Sequence, residues 1–163
     1  MADHYDYIII GAGPAGLQMA YFLQQAGRRY IVIETQAKAA SFFSQYPRHD
    51  KMISINKRFN KFDEDTWNLR HDWNSLLSED REMRFTNYSR DLYPNPKDVS
   101  KYLNDYAQRF ALNIRYNTRV TKVSKEGGIF TVSVQEGRQL ISRCVLMATG
   151  AMEENLPQNI EGT

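Results

Sequence analysis

Residues 7–34 read YIIIGAGPAGLQMAYFLQQAGRRYIVIE, and this stretch constrains the fold more than any other. An apolar run, Tyr7 to Ile10, leads into Gly11, Gly13 and Gly16. A helix-forming segment, Gly27 and a second apolar run (Ile31, Val32, Ile33) follow, ending at Glu34. This is G-x-G-x-x-G between a strand and a helix, with an acid closing the next strand, the fingerprint of a βαβ unit that receives a dinucleotide. Gly11 suits a tight turn out of the strand, Gly13 leaves the backbone open to a pyrophosphate, and Gly16 lets the helix pack close to the sheet. The helix N-terminus adds free N–H groups and a partial positive charge. Glu34 stands eighteen positions after Gly16 and can accept hydrogen bonds from ribose hydroxyls. Its charge disfavours a 2′-phosphate at the same place. NAD and FAD both remain open from this motif.

The first strand is expected over Tyr5 to Ile10, apolar on both faces as when helices cover a parallel sheet on either side. The first helix is expected over Pro14 to Gln25, with Pro14 in its first turn, Leu17, Ala20, Tyr21 and Leu23 as its core stripe, and Gly27 as its stop. Gln36 to Asn60 shows no period but carries Phe42, Phe43, Tyr46, Met52, Ile53 and Ile55. It reads as an ordered excursion packed on a ligand or a neighbouring domain. Glu64 to Leu77 reads as partly helical, with Trp67 and Trp73 on different faces. Pro96 to Ala111 reads as the second clear helix, capped by Asn95 with Asp98 at N3, its core face formed by Val99, Tyr102, Leu103, Tyr106 and Phe110. A short strand is expected at Asn113 to Tyr116. Three alternating segments follow, Arg119–Lys125, Gly128–Gln135 and Arg138–Arg143, parted by the turn signals Gly127-Gly128 and Glu136-Gly137. They form a three-stranded antiparallel β-meander. The meander leads straight into a further apolar strand, Cys144 to Ala148, which ends at Thr149-Gly150.

Composition bounds the class. The 163 residues suit one domain, and a net charge of +2 gives no ground for nucleic-acid binding. No run reaches the eighteen apolar residues of a membrane span. The single cysteine, Cys144, leaves no disulfide within the chain and no C-x-x-C redox pair. His49 and His71 lack partners at metal-ligand spacing, so no metal site is expected. The N-terminus MADHYDYIII has no basic region followed by a long apolar stretch, so a cytoplasmic setting is expected. A homo-oligomer is compatible with the sequence.

The order βαβ, helix, short strand, β-meander and an apolar strand closing in Ala148-Thr149-Gly150 resembles the Rossmann-like FAD-binding domain of two-dinucleotide-domain flavoproteins. The spacing from Gly16 to Glu34, the placing of Ala20 and the closing ATG match that fingerprint, and the meander turns the choice from NAD to FAD. Within that superfamily, SFFSQYPRHDKMISINKR and NLRHDWNSLL resemble the FAD-dependent oxidoreductase domain-containing protein 2 group, which is related to flavin-containing monooxygenases. The resemblance spans nearly the whole chain.

It implies that Gly11, Gly13, Pro14, Ala15 and Gly16 surround the pyrophosphate, that Glu34 and Thr35 lie at the adenosine ribose, that the Val120 backbone faces adenine, and that Thr149 and Gly150 lie near the dinucleotide. It places Asn56, in Ser54-Ile55-Asn56, where flavin monooxygenases carry an asparagine near the flavin, which makes it the catalytic candidate. The monooxygenases have a Gly-Gly pair before the aromatic that follows the acid strand. Here Ala39, Ala40 and Ser41 precede Phe42. No second G-x-G-x-x-G is present, so residues 1–163 are expected to be the N-terminal FAD-binding portion of a longer flavoprotein whose NAD(P)H domain lies outside this sequence. The implied activity is that of an NAD(P)H-dependent oxidoreductase, monooxygenase-like, with this portion inactive alone. The alternative is a non-catalytic FAD- or ADP-binding module acting through protein interaction, with Trp67, Trp73, Phe42 and Phe43 as its surface.

Overall fold

The structure is a computed structural model that describes residues 3–58 and 69–150. Its frame is a six-stranded mixed sheet. In chain order the strands are β1 (Asp3–Ile10), β2 (Tyr30–Ile33), β3 (Ile114–Arg115), β4 (Val120–Glu126), β5 (Ile129–Val134) and β6 (Gln139–Met147). Helix α1 (Pro14–Gln25) joins β1 to β2, and helix α2 (Pro96–Arg109) precedes β3. Across the sheet the order is β3-β2-β1-β6-β5-β4. The first four of these are parallel neighbours, and β6-β5-β4 are antiparallel.

Helix α1 occupies the residues its pattern predicts. At its C-terminus the Gly27 N–H donates to Gln24 O and the Arg28 N–H to Leu23 O, a Schellman closure with Gly27 at φ +61°. Helix α2 begins as expected: the Asn95 side chain accepts from the Lys97 N–H, Pro96 opens the first turn, and Asp98 adds an acid there.

Two expectations about the sheet are corrected. The third meander segment and the closing apolar strand are one strand. No turn residue separates Arg143 from Cys144, so the chain runs on as β6. Its first part pairs with β5 and nearly its whole length pairs with β1. The second correction concerns the apolar first strand. Ile9 points with Leu17, Ala20, Val32, Tyr102 and Tyr106 into a core under α1 and α2. Ile8 and Ile10 point the other way, with Ile31 and Ile33, and among the described residues they are closed by Val132, Val134 and Leu140 of the antiparallel strands rather than by a helix.

Within the described residues 36–58, the long excursion includes a tight 3₁₀ turn, Ser41–Ser44. The helix expected from Glu64 lies outside the described residues up to 68, as does Trp67. Residues 69–71 are helical, and the helix then stops rather than reaching Leu77. Asp72 explains the stop: its Oδ1 accepts from the Asn74 and Ser75 N–H groups, and its Oδ2 accepts from the Ser75 hydroxyl. Trp73 in that turn is 78% exposed.

The α2 core is rich in tyrosines. Tyr102 accepts from the Leu76 N–H and donates to Met83 O, and Tyr106 donates to Leu77 O. Burial pushes both hydroxyls well above the ordinary tyrosine range, and burial with the nearby Asp105 raises Tyr88 to about 12. The unfolded chain therefore gives up these protons near pH 10, before the folded chain does. Stability is fully present below pH ~10 and is lost as pH rises toward the folded values. The expected result is a melting temperature that falls above pH ~10 together with the rise of tyrosinate absorbance. A melting temperature that holds constant to pH ~12 would contradict it.

Candidate functional site

The C-terminal ends of β1, β2 and β6 meet at one edge of the parallel half, as ligand sites do in open α/β sheets. A cleft of about 830 Å³ opens there. Gly11, Gly13, Pro14 and Ala15 form one side, Glu34 and Thr35 another, and Val120, Thr149 and Gly150 a third. Nine of the residues singled out in the sequence thus line one cleft. Gly16 is buried beneath it, and Asn56 is not in its lining.

The three glycines have distinct physical reasons. Gly11 has φ +107°, and a Cβ there would lie 2.4 Å from Ala148 O on β6. A Cβ on Gly16 would lie 2.0 Å from Gly11 O, so α1 can sit this close to the turn only with glycine there. Gly13 differs from both. Its φ of −78° and ψ of −176° are ordinary extended values, and a Cβ would meet nothing within 4 Å. The fold itself does not require glycine at 13, and the position faces the open cleft.

Above Gly13 the first intrahelical bond runs from the Leu17 N–H to Gly13 O. The N–H groups of Ala15 and Gly16 precede that bond, and Pro14 has none to offer. The α1 N-terminus carries no side-chain cap and no acid in its first turn.

Glu34 is buried to 8% exposure. Its Oε2 accepts from the Ala12 N–H at 2.8 Å and its Oε1 from the Gln36 N–H at 2.9 Å. A carboxylate has about four acceptor positions, so roughly two remain for hydroxyl groups. The same bonds tie the glycine turn to β2, a role the sequence did not disclose. Glu34→Ala is therefore expected to do two things. It leaves the fully buried Ala12 N–H unpaired, at a cost of about 1–3 kcal/mol of stability, and it removes charged acceptors worth about 1.5–3 kcal/mol to any ligand hydroxyl they receive. Urea unfolding and ligand titration on the same variant separate the two losses.

Further residues complete the lining. Thr118 is buried, donates from Oγ1 to Tyr116 O and sits at the cleft wall. Ile10, Ile33, Met147 and Ala148 supply apolar wall. Ala40, Ser41, Phe42 and Phe43 line it as well, from a strap that crosses beside the glycine turn. The Ala40 N–H donates to Ala12 O at 3.0 Å. Ala40 has φ +57°, a left-handed conformation that costs a non-glycine residue about 1–2 kcal/mol. The strap thus keeps a glycine-like path without glycine. The strap is part of the excursion expected to pack on a ligand or a neighbouring domain, and Phe42 and Phe43 line the cleft; its left-handed turn at Ala40 carried no mark in the sequence.

Asn56 is 4% exposed. Its Nδ2 donates to Ser89 O, its N–H donates to Leu92 O, and its Oδ1 has no partner. The structure therefore sets it in the packing between residues 54–56 and 89–92.

The cleft fits a dinucleotide on these observations: an open face at Gly13, unpaired N–H groups with the helix dipole behind them, spare acceptors on Glu34, and a size within the usual range for ligand sites of about 300–1,000 Å³.

Comparison with known proteins agrees. Residues 8–163 match the profile of the family described as pyridine nucleotide-disulphide oxidoreductase. A Mus musculus protein named FAD-dependent oxidoreductase domain-containing protein 2 is 46% identical over 154 residues, covering 90% of this chain and 23% of that protein. Its Danio rerio namesake is 41% identical over 161 residues, covering 96% of this chain and 23% of that protein. This chain thus spans about a quarter of the length of these relatives. Among solved structures, a flavin-containing monooxygenase from Stenotrophomonas maltophilia superposes with a TM-score of 0.69 at 27% identity, covering 91% of this chain and 39% of that one. Among the described residues, no helix is long and apolar enough to cross a membrane.

Proposed function

Because the chain belongs to the pyridine nucleotide-disulphide oxidoreductase family, we propose that it is the N-terminal FAD-binding portion of a longer, NAD(P)H-dependent flavin oxidoreductase of monooxygenase type. The observation that carries this reading is the single cleft joining the open face of Gly13, the α1 N-terminus and Glu34. The names of the mouse and zebrafish relatives and the monooxygenase fold of the solved neighbour support FAD as the ligand.

In this reading the Ala15 and Gly16 N–H groups and the α1 dipole hold the pyrophosphate. Glu34 accepts from the adenosine ribose, with Thr35 beside it, and Val120 and Thr118 flank the adenine end. Thr149 and Gly150 close the cleft beside Gly11. The strap Ala40–Phe43 and the apolar wall exclude water. FAD, when bound, supplies the hydride-accepting and electron-passing chemistry. The nicotinamide donor belongs to the NAD(P)H domain of the longer protein. The reading gives Asn56 no part in holding the dinucleotide.

A second reading is a non-catalytic FAD- or ADP-binding module acting through protein interaction. It draws on Ile53 and Trp73, which are 88% and 78% exposed.

The test begins with purified chain and titrations of FAD, ADP and NAD. A yellow protein, with a melting temperature raised by about 5 °C or more at FAD near a hundred times its dissociation constant, is the expected result. A colourless chain with no thermal shift to any of the three ends both readings. In the longer protein, reduction of the flavin by NADPH or NADH supports the first reading, and a bound flavin that neither donor reduces favours the second.

A further inference from the structure

We propose that Asn104 of α2 is a positioning residue for the dinucleotide: it locks the strap that forms one wall of the cleft. The proposal rests on the FAD-binding reading above. Asn104 Oδ1 accepts from the Ala39 N–H at 3.1 Å, and its Nδ2 donates to Ala39 O at 2.9 Å. One amide thus pairs with both backbone groups of a single residue, as a neighbouring strand would. The same Nδ2 donates to Ser100 O at 2.8 Å, one turn back on α2, which fixes the side-chain orientation.

From Ala39 the fixed path continues into the site. The Ala40 N–H donates to Ala12 O, between Gly11 and Gly13. The Phe43 N–H donates to Ala40 O and closes the 3₁₀ turn, setting Ser41, Phe42 and Phe43 at the cleft wall. Phe42 is stacked on Tyr46, with centroids 5.2 Å apart and planes at 20°. The helix that holds the anchor is fixed to the main core through buried Val99, Tyr102, Leu103 and Tyr106.

Asn104 is not in the cleft lining, so its effect passes through the strap. Ala40 is the residue that makes such an anchor necessary. It is held at φ +57° without being glycine, so the strap left alone relaxes toward extended backbone and swings Phe42 and Phe43 off the wall. The two amide bonds to Ala39 oppose that relaxation.

The experiment compares the wild-type chain with Asn104→Ala and Asn104→Asp by amide hydrogen exchange and FAD titration. Asn104→Asp keeps the shape and the acceptor for the Ala39 N–H, but turns an acceptor toward the Ala39 and Ser100 carbonyls, so it tests the donor arm alone if the alanine variant folds poorly. The expected result is faster exchange at the amides of residues 39–43 in both variants, with FAD binding weakened about tenfold in Asn104→Ala, which loses both bonds to Ala39, and by less in Asn104→Asp, which loses one of them. A purely structural tie lowers the melting temperature and leaves FAD affinity unchanged well below it. That outcome, or unaltered strap exchange, overturns the proposal. Absence of FAD binding in the wild-type chain instead overturns the FAD reading, and the proposal with it.

Discussion

Gly13→Val is expected to weaken FAD binding by about a hundredfold or more while changing the stability of the ligand-free chain by only about 1 kcal/mol. The backbone at 13 is extended, with φ −78°, and a branched side chain is welcome in that region. No atom stands within 4 Å of the place its Cβ takes, so nothing in the fold is displaced. The small cost comes from valine being a poorer N-cap than glycine. The ligand meets a different situation. The isopropyl group stands in the cleft beside the first turn of α1, in the space a pyrophosphate needs to reach the Ala15 and Gly16 N–H groups. Each charge-assisted hydrogen bond lost is worth about 1.5–3 kcal/mol, so losing two gives the hundredfold. Calorimetric titration with FAD, paired with urea unfolding of the ligand-free variant, reads both halves. Wild-type affinity in the variant would place the dinucleotide elsewhere.

That contrast between fold and ligand is where the sequence was most legible. The glycine spacing, the flanking apolar runs and Glu34 lie within one local unit, so their geometry follows from short-range rules, and they meet as expected. Helix α2 was equally plain, because Asn95, Pro96 and the apolar stripe all act within the helix itself. What was hidden depends on partners distant in sequence. Nothing near Glu34 says that its carboxylate is shared with the Ala12 N–H, twenty-two positions away. Nothing near Asn104 says that it pairs with Ala39, sixty-five positions away. The merging of the last meander segment into β6 was missed for a similar reason. β1 extends back to Asp3 and supplies pairing for Leu140 to Ser142, so the strand has no cause to break after Arg143. The covering of Ile8 and Ile10 by Val132, Val134 and Leu140 is also a long-range matter. An apolar run reports that both faces are buried, and it carries no mark of which element does the burying.

Gly16→Ala is expected to do the reverse of Gly13→Val. In an exposed helix interior the exchange gains about 1 kcal/mol from helix propensity. Here the added methyl lies 2.0 Å from Gly11 O and 3.1 Å from Gly11 C, both backbone atoms. Gly11 cannot yield easily. Its N–H donates to Ile33 O, and its α-carbon faces the Ala148 carbonyl so closely that a Cβ there would reach within 2.4 Å of that oxygen. The next residue, Ala12, is held by Glu34 and by Ala40. The helix must move instead, and Leu17 and Ala20, both at 0% exposure, move with it. Overpacking of this kind costs about 1–3 kcal/mol and more where backbone is met. A net loss of about 3 kcal/mol is expected, a fall of roughly 6–12 °C in melting temperature for a chain of this size. Calorimetry on Gly13→Ala beside Gly16→Ala is the discriminating measurement, because the first adds the same methyl to the same turn without meeting an atom. FAD affinity should fall in both, in Gly13→Ala by direct obstruction and in Gly16→Ala because the N-terminus of α1 is carried away from the turn. Equal melting temperatures in the two variants would mean that α1 does not lie against Gly11, and the cleft would then lose the wall on which its anion site depends.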